Sequence, residues 1–340
     1  EKEDGCAHEN PQRERFRQEL NTGRRPGGTF NSASRFARII GCERRTLSRG
    51  IKFVKVAKSL GTKVMDQVIS PTKEDTLGKV KDLPRRRKLV IKGLQKSFGG
   101  KVVYDGFDLE LELGTFTSVF GPNGCGKSTL INMISGLMPR DGGSVLYDGR
   151  TIEETSISYV FQNYREALFP WRRAIDNIRY PMDRHGYSKK ERESRIDQLI
   201  EDFGIRIDLN AYPYMLSGGQ QQAVSILRAL AIEPDVLFLD EPFSALDYEM
   251  TLLMREKLQS IFEKTKTTMI LVSHDLEEAV QMADKVLLLS RRPTRVAALV
   301  DNLLPRPRDA GTLTEPAFVD LRSECLKIFQ KEALVNELSN

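Results

Sequence analysis

The chain has 340 residues, of which 40% are hydrophobic and 29% are charged, and its formal net charge at pH 7 is +5. This composition is typical of a globular protein with room for one large domain and additional segments. No apolar run approaches the ~18 residues that a transmembrane helix requires, which argues against a protein that crosses a membrane by itself. The four cysteines show no metal-ligand spacing, and we expect them to be reduced cytosolic thiols.

The basic charge is concentrated in an N-terminal extension. Residues 1–88 contain 22 Lys and Arg against 11 Asp and Glu, whereas the rest of the chain contains 30 basic against 36 acidic residues. The first 35 residues are polar and lack periodicity, which predicts disorder. Apolar residues between 47 and 68 fall near helical spacing and predict a weak basic amphipathic helix. A solvated tail, a segment that docks on lipid, nucleic acid or a partner, and a remnant of organelle targeting all stay open.

From residue 89 onwards, apolar strands alternate with helical patterns. The predicted strands are 89–91, 107–111, 115–120, 144–147, 157–161, 235–240, 268–273 and 285–290, and the predicted helices are 128–137, 188–203, 218–232, 246–263 and 276–282. This alternation predicts a largely parallel sheet with helices on both faces. A proline-marked segment follows Pro293, and an amphipathic helix is predicted near 316–336.

The most specific motif is a glycine-rich loop between a predicted strand and a predicted helix. Residues 121–129 read Gly-Pro-Asn-Gly-Cys-Gly-Lys-Ser-Thr, the G-x-x-x-x-G-K-S pattern of a phosphate-binding loop. The glycines allow successive backbone N–H groups and the helix N-terminus to face phosphate oxygens. Lys127 is predicted to reach the β- and γ-phosphates of a nucleotide, and the Ser128 hydroxyl is predicted to bind Mg²⁺.

A second motif is an apolar strand that ends in two carboxylates. Residues 236–241 read Val-Leu-Phe-Leu-Asp-Glu, and a strand this apolar is predicted to be buried on both faces. Its acidic end then lies at the carboxyl edge of the sheet, where the phosphate loop also opens. Asp240 is predicted to hold Mg²⁺, and Glu241 is predicted to polarise the water that attacks the γ-phosphate.

A third motif predicts a further anion site at a helix N-terminus. Residues 216–220 read Leu-Ser-Gly-Gly-Gln, and a capping serine followed by two glycines exposes N–H groups at the positive end of a helix. One chain does not need two such sites for one phosphate group. The stretch resembles the signature motif of ATP-binding-cassette (ABC) ATPases, and the resemblance implies that this loop contacts the γ-phosphate held by another subunit.

Together, these motifs resemble ATP-binding-cassette (ABC) ATPases over residues 89 to about 335. The resemblance implies an α/β fold, namely a P-loop NTPase of the ABC nucleotide-binding type with a RecA-like core, an antiparallel β subdomain and a helical subdomain. It divides the chain into the extension 1–88, an ATPase domain 89–299 with its helical subdomain at about 163–225, and a tail 300–340 with an amphipathic helix. Two such domains are expected to enclose two ATP molecules, each between one phosphate loop and the other subunit's 217–220 loop.

The resemblance also assigns site residues. It implies Glu241, His274 and Gln162 as catalytic residues, and Ser128, Gln162 and Asp240 as Mg²⁺ ligands. It implies that Phe98 stacks on adenine and that Asp247, in the sequence Ser-Ala-Leu-Asp, belongs to a loop that crosses the dimer interface. The expected ATP-binding residues are therefore Phe98, Gly121, Asn123, Gly124, Cys125, Gly126, Lys127, Ser128, Thr129, Ser217, Gly218, Gly219, Gln220 and Asp247. One departure is Ala223, where the family often has arginine.

The segment after Gln162 suggests which ABC ATPase this is. Residues 167–178, with Phe-Pro-Trp-Arg at their centre, resemble the part of importer ATPases that grips the membrane subunit, and the form resembles the nitrate, sulfonate, taurine and bicarbonate group. The tail Leu-Pro-Arg-Pro-Arg at 304–308 resembles the same group. The implied partners are a second ATPase subunit, permease subunits and, indirectly, a solute-binding protein. The implied location is peripheral, on the cytoplasmic face of the plasma (inner) membrane.

Two other functions are weighed against import. An ABC ATPase that acts on ribosomes or DNA would use the basic extension to bind nucleic acid. Relatives of that kind carry two cassettes or long insertions, which this chain lacks, so no nucleic acid is expected. A regulatory cassette that binds ATP without hydrolysis is disfavoured by Glu241 and His274.

Overall fold

The computed structural model describes residues 87–334, except residues 205 and 245. The predictions for residues 1–86, disorder followed by a basic amphipathic helix, lie outside the described residues. The strands are Lys88–Phe98 (β1), Lys101–Glu112 (β2), Phe116–Phe120 (β3), Gly142–Tyr147 (β4), Ile157–Val160 (β5), Val236–Asp240 (β6), Thr268–Val272 (β7), Lys285–Leu289 (β8) and Val296–Asp301 (β9). The α-helices are Lys127–Ile134 (α1), Tyr164–Ala167 (α2), Ala174–Arg184 (α3), Lys189–Phe203 (α4), Gly218–Leu230 (α5), Tyr248–Thr265 (α6), Leu276–Met282 (α7) and Pro316–Leu334 (α8).

The strands of the described ranges form two sheets. A six-stranded sheet has the order β5-β6-β7-β3-β8-β9, and a three-stranded sheet has the order β2-β1-β4. The first five strands of the larger sheet pair in parallel, as predicted, and the smaller sheet is antiparallel. The edge strand β9 pairs antiparallel with β8 and was not predicted. Its residues are only half-buried, so they lack the continuous apolar pattern that identifies the central strands.

Both faces of the larger sheet are buried. In β6, Leu237 and Leu239 pack into a core with the helices α3, α4, α5 and α6, whereas Val236 and Phe238 pack into a second core with α1 and the smaller sheet. Successive side chains of a strand point to opposite faces, so a strand with a core on each side must be apolar throughout. This explains the uninterrupted apolar run that precedes Asp240.

The parallel pairing brings the functional loops to one edge of the sheet. Asp240 at the end of β6 is paired with Val272 at the end of β7, and Val119 of β3 is also paired with Val272. The segments that follow these three strands therefore leave the sheet side by side. They contain the phosphate loop, Glu241 and His274.

The helices α4 and α5 each begin at a serine whose side chain caps the backbone. Ser188 begins α4 with a capping box to Glu191, and Gly204 ends it in a left-handed conformation with φ of 61°. Ser217 begins α5 with the same kind of box to Gln220. Helix α3 lies within the range 163–225 that was expected to form a helical subdomain.

The proline-marked tail is held to the rest of the α/β domain by two arginines. Arg306 donates from Nε and Nη2 to Asp284 Oδ1 at 2.9 and 2.8 Å, and buried Arg308 donates to the carbonyls of Ala283 and Leu304 at 2.6 and 2.7 Å. Helix α8 then packs Phe318 and Cys325 against α7, β8 and β9. The tail therefore adds apolar side chains to the core beside α7, β8 and β9.

Candidate functional site

The phosphate loop connects β3 to α1 and folds around its own lysine. Lys127 is only 7% exposed, and its ammonium donates to the carbonyl oxygens of Gly121 at 2.9 Å and Pro122 at 3.3 Å. Gly124 and Gly126 have φ of 73° and 119°, conformations that other residues rarely adopt. The ammonium is thus held at the centre of the loop, where it can exchange carbonyl contacts for phosphate oxygens.

Strand β2 supports this loop from behind. The Tyr104 hydroxyl donates to the Gly126 carbonyl at 3.0 Å, and a Cβ added at Gly126 would lie 2.8 Å from Val103 Cγ1. The Thr294 hydroxyl donates to the carbonyl of Cys125, whose side chain is buried. Burial also raises the pKa of the Cys125 thiol. Asn123 and Gly124 are exposed at the tip, and Thr129 is half-buried on α1.

Ser128 and Asp240, two of the three predicted metal ligands, lie in contact. The Ser128 hydroxyl donates to Asp240 Oδ1 at 3.1 Å, and the Tyr159 hydroxyl donates to Asp240 Oδ2 at 3.0 Å. Burial raises the pKa of Asp240, while these two hydrogen bonds act in the opposite direction. Both carboxylate oxygens are thereby fixed, one facing the phosphate loop and the other held by β5.

Glu241 stands between the other two predicted catalytic residues. Its Oε2 accepts from Gln162 Nε2 at 2.8 Å and lies 3.4 Å from His274 Nδ1. The backbone of Glu241 has φ of 45°, an uncommon conformation for a residue with a side chain, and its N–H donates to the Val272 carbonyl at 3.0 Å. The sharp turn directs the carboxylate out of the sheet, between residues from two other loops.

The 217–220 loop contains the predicted serine cap. Its hydrogen bonds go to residues outside the chain's own phosphate loop. Ser217 and Gln220 bond to each other at 3.0 and 3.3 Å, and Gln220 also donates to the Arg206 carbonyl. Gly218 and Gly219 have no room for a Cβ: it would lie 2.8 Å from the Tyr164 hydroxyl at Gly218, and 2.5 Å from Met250 Cγ at Gly219. The start of α5 thus presents backbone N–H groups beside α2 and the start of α6.

Asp247 and Phe98 occupy the ends of other elements. Asp247 caps α6 by accepting from the Met250 N–H at 2.8 Å, and its residue is exposed. Phe98 ends β1, is 44% exposed, and has the Lys96 ammonium 5.1 Å from its ring centroid. An exposed ring on the hairpin that supports the phosphate loop is available to stack on a base.

A cavity of about 640 Å³ opens beside Asp240. Asp240, Tyr159 and Gln162 line it on one side, and Asn132 of α1 lines it on another. No group of three or more His, Cys, Asp or Glu side chains suited to a metal occurs in the described ranges. A hydroxyl and one carboxylate suit Mg²⁺ that arrives with nucleotide phosphates, because Mg²⁺ usually keeps waters and few protein ligands.

The segment after Gln162 forms an aromatic surface organised by one buried amide. Asn177 of α3 accepts from the Phe169 N–H at 2.8 Å and donates to the carbonyls of Phe169, Arg172 and Arg173. The Phe169 ring lies 5.6 Å from Trp171, which is 57% exposed. The exposed Trp171 therefore belongs to a segment whose backbone is fixed by Asn177.

Three supporting residues were not predicted from the sequence. They are Tyr104, Tyr159 and Gln222, and Gln222 Nε2 donates at 2.6 Å to the carbonyl of Pro242, next to Glu241. A polar or phenolic side chain within an apolar strand or helix face is the signal that could have identified them. Ala223, the departure noted above, is fully buried.

The chain is similar to a known family and to solved structures. A family model described as ABC transporter matches residues 104–244. The taurine import ATP-binding protein TauB of Escherichia coli O157:H7 is 38% identical over 254 residues, which cover 72% of this chain and 99% of that protein. The nitrate import ATP-binding protein NrtC of Synechococcus elongatus is 37% identical over 230 residues, which cover 66% of this chain and 35% of that protein.

A solved bacterial ABC transporter cassette, MJ0796, has a similar fold. In its dimeric structure, the cassette is 27% identical in sequence to this chain and matches it with a TM-score of 0.57. The match covers 64% of this chain and 100% of the cassette chain. A dimeric structure of the same cassette in a post-hydrolysis state, bound to ADP and phosphate, matches with a TM-score of 0.56. No helix within the described ranges combines the length and apolarity needed to cross a bilayer.

Proposed function

We propose, because the chain belongs to the ATP-binding proteins of ABC transporters, that it hydrolyses ATP to power import of a small anion such as nitrate, a sulfonate, taurine or bicarbonate. The observation that carries the enzymatic part is the position of Glu241, between Gln162 Nε2 at 2.8 Å and His274 Nδ1 at 3.4 Å. The importer part is supported by the similarity to taurine and nitrate import proteins.

Each side chain has a distinct role in this proposal. Lys127 and the N–H groups of its loop bind the β- and γ-phosphates, and Ser128, Asp240 and Gln162 hold Mg²⁺. The metal, when bound, neutralises charge on the phosphate oxygens. Glu241 orients the attacking water and accepts its proton, while His274 contacts the γ-phosphate. Phe98 stacks on adenine.

The 217–220 loop completes the site of a second copy. Its two glycines offer N–H groups at a helix N-terminus, which favours anions, whereas the Ser217 N–H is bonded to Gln220 Oε1. The dimeric structure of a similar cassette supports this arrangement. Asp247 then lies at the interface, and loss of the γ-phosphate removes the contact that keeps the two copies closed.

The exposed aromatic surface around Trp171 is the proposed contact with permease subunits. Asn177 fixes the backbone of residues 169–173, so the surface is formed before the partner binds. The protein would then lie on the cytoplasmic face of the membrane, without nucleic acid. The division at residues 88/89 and 299/300 stays part of this proposal.

The hydrolytic role is tested with Glu241→Gln. We expect this variant to bind ATP, to lose at least about a hundredfold of the hydrolysis rate, and to accumulate as an ATP-bound dimer in size-exclusion chromatography. Glu256→Gln, at an exposed position of α6 beyond its first two turns, is the matched control and should behave like the wild type. Hydrolysis by Glu241→Gln at the wild-type rate would remove the base from this mechanism.

The importer role is tested by affinity capture of the full chain from gently solubilised native membranes. A polytopic membrane protein should be the major partner, and Trp171→Ala should lose it while keeping ATP hydrolysis. Capture of ribosomal proteins or DNA in place of a membrane subunit would support the alternative function.

A further inference from the structure

A buried arginine lies behind the catalytic edge, outside the residues assigned above. Arg255 is two turns into α6, the helix that begins at Asp247, and it is 7% exposed. A buried guanidinium is costly unless it is paired. Its partners therefore indicate what it is there to hold.

Those partners lie on the loop and helix that follow β7. Arg255 Nη2 lies 3.1 Å from Glu278 Oε2 and 3.5 Å from Asp275 Oδ2, and Nη1 lies 3.3 Å from Gln281 Oε1. Asp275 is the residue after His274 and caps α7 by accepting from the Glu277 N–H. One planar guanidinium thus contacts both Asp275, which caps α7, and the side chains of Glu278 and Gln281 within α7.

The same guanidinium also contacts the loop that carries Glu241. Its Cζ lies 5.9 Å from the centroid of the Phe243 ring, two residues after Glu241. Phe243 is itself buried. Arg255 therefore joins three segments: its own helix capped by Asp247, the Glu241 loop and the His274 loop.

The ion pair between Arg255 and Glu278 is not an optimised stabilising contact. Arg255 Nε and Glu278 Oε1 are both buried and have no hydrogen-bond partner among the residues that the structure describes. Buried ion pairs are weak stabilisers, and incompletely satisfied ones are weaker still. Stability alone is a poor reason for this arrangement.

We infer that Arg255 is a positioning residue for hydrolysis, which clamps Asp275 and Glu278 so that His274 stays in register with Glu241. The inference rests on the proposed function, since it concerns the same reaction. Movement of α6, whose first turn is at the proposed dimer interface, is transmitted through this guanidinium to His274. ATP binding by Lys127 does not depend on it.

The test separates positioning from charge compensation. At a pH well above the pKa of Glu278, which burial raises to about 7, Arg255→Met leaves this ionised carboxylate without its counterion, so Tm should fall and kcat should drop at least about tenfold, with the Kd for ATP within about twofold. In the double variant Arg255→Met with Glu278→Gln, Tm should recover while kcat stays low. Arg255→Lys should be intermediate in kcat, because one ammonium cannot form the same planar bridge.

A matched control breaks a different ion pair, one made by an arginine of α8 to α7. Arg322→Ala removes a half-exposed ion pair to Glu277 at 2.9 Å, and it should leave kcat and Tm unchanged. Recovery of kcat together with Tm in the double variant, or wild-type kcat in Arg255→Met, overturns the inference. If Arg255→Met does not fold, the double variant alone decides. Glu241→Gln, measured in parallel, reports separately on the proposed function: if it hydrolyses ATP normally, that function fails whatever Arg255 does.

Discussion

Replacing Glu278 with glutamine should change the free energy of unfolding in a strongly pH-dependent way. Burial raises the pKa of this carboxyl from 4.5 to about 7, with a smaller opposing effect of Arg255. The native state then keeps the proton over a range in which the unfolded state has lost it. The stability that Glu278 contributes is therefore present below about pH 4.5 and is lost as pH rises to about 7.

The size of the effect follows from the two pKa values. A gap of about 2.5 pH units corresponds to about 3 kcal/mol over the whole range, and to about 2 kcal/mol between about pH 5.5 and about pH 8. Glutamine does not titrate, so the variant escapes this loss. The difference in unfolding free energy, variant minus wild type, should rise by about 2 kcal/mol over that interval and level off above it.

Urea denaturation of the full chain at closely spaced pH values measures this difference. The other groups that face Glu278 are Asp275, His274 and Arg255, and all three are kept in both proteins. Glu277→Gln, one residue earlier and half-exposed, is the control for the loss of a carboxylate from the same helix. A difference that falls with rising pH would refute the reasoning, because it would mean that Arg255 outweighs burial and lowers the pKa of Glu278.

Further predictions concern the phosphate loop and the tail. Lys127→Ala should abolish ATP binding, measured by isothermal titration, because the ammonium at the centre of the loop is lost while the fold, checked by circular dichroism, is kept. Gly126→Ala should weaken ATP binding at least about tenfold, because φ of 119° is strained for alanine and the new Cβ would lie 2.8 Å from Val103; binding like the wild type would contradict this. Phe318→Ala should lower the free energy of unfolding by about 3–5 kcal/mol, since this ring of α8 is fully buried against α7, β8 and β9, whereas Leu326→Ala on the same helix, at a more exposed position, should cost much less.

Much of the fold could be predicted from the sequence because both faces of the large sheet are buried. A strand such as Val236–Asp240 must then be apolar throughout, and its end is marked by the first carboxylate. The antiparallel strand Val296–Asp301 escaped prediction because it lies at the sheet edge and is only half-buried. Helix α2, at four residues, is too short for helical periodicity to reveal.

The candidate site was predicted in its parts. The residues that the motifs indicated, Lys127, Ser128, Asp240 and Glu241, do lie at one edge of the sheet, because parallel strands deliver their carboxyl ends together. Their supports were not predicted. Tyr159 comes from a strand that looks merely apolar, and its hydroxyl reaches Asp240 from 81 residues away.

The sequence alone indicated a phosphate-binding loop, because the glycines and the lysine that such a loop needs lie within one short run, residues 121–129. Only the tertiary structure decided which distant side chains hold that chemistry in place. Arg255 is an unremarkable helix residue in the sequence, and it becomes significant because α6 packs where Glu278, Asp275 and Phe243 converge. Contacts of this kind depend on how helices pack against a sheet, and packing follows from the whole core, not from any local motif.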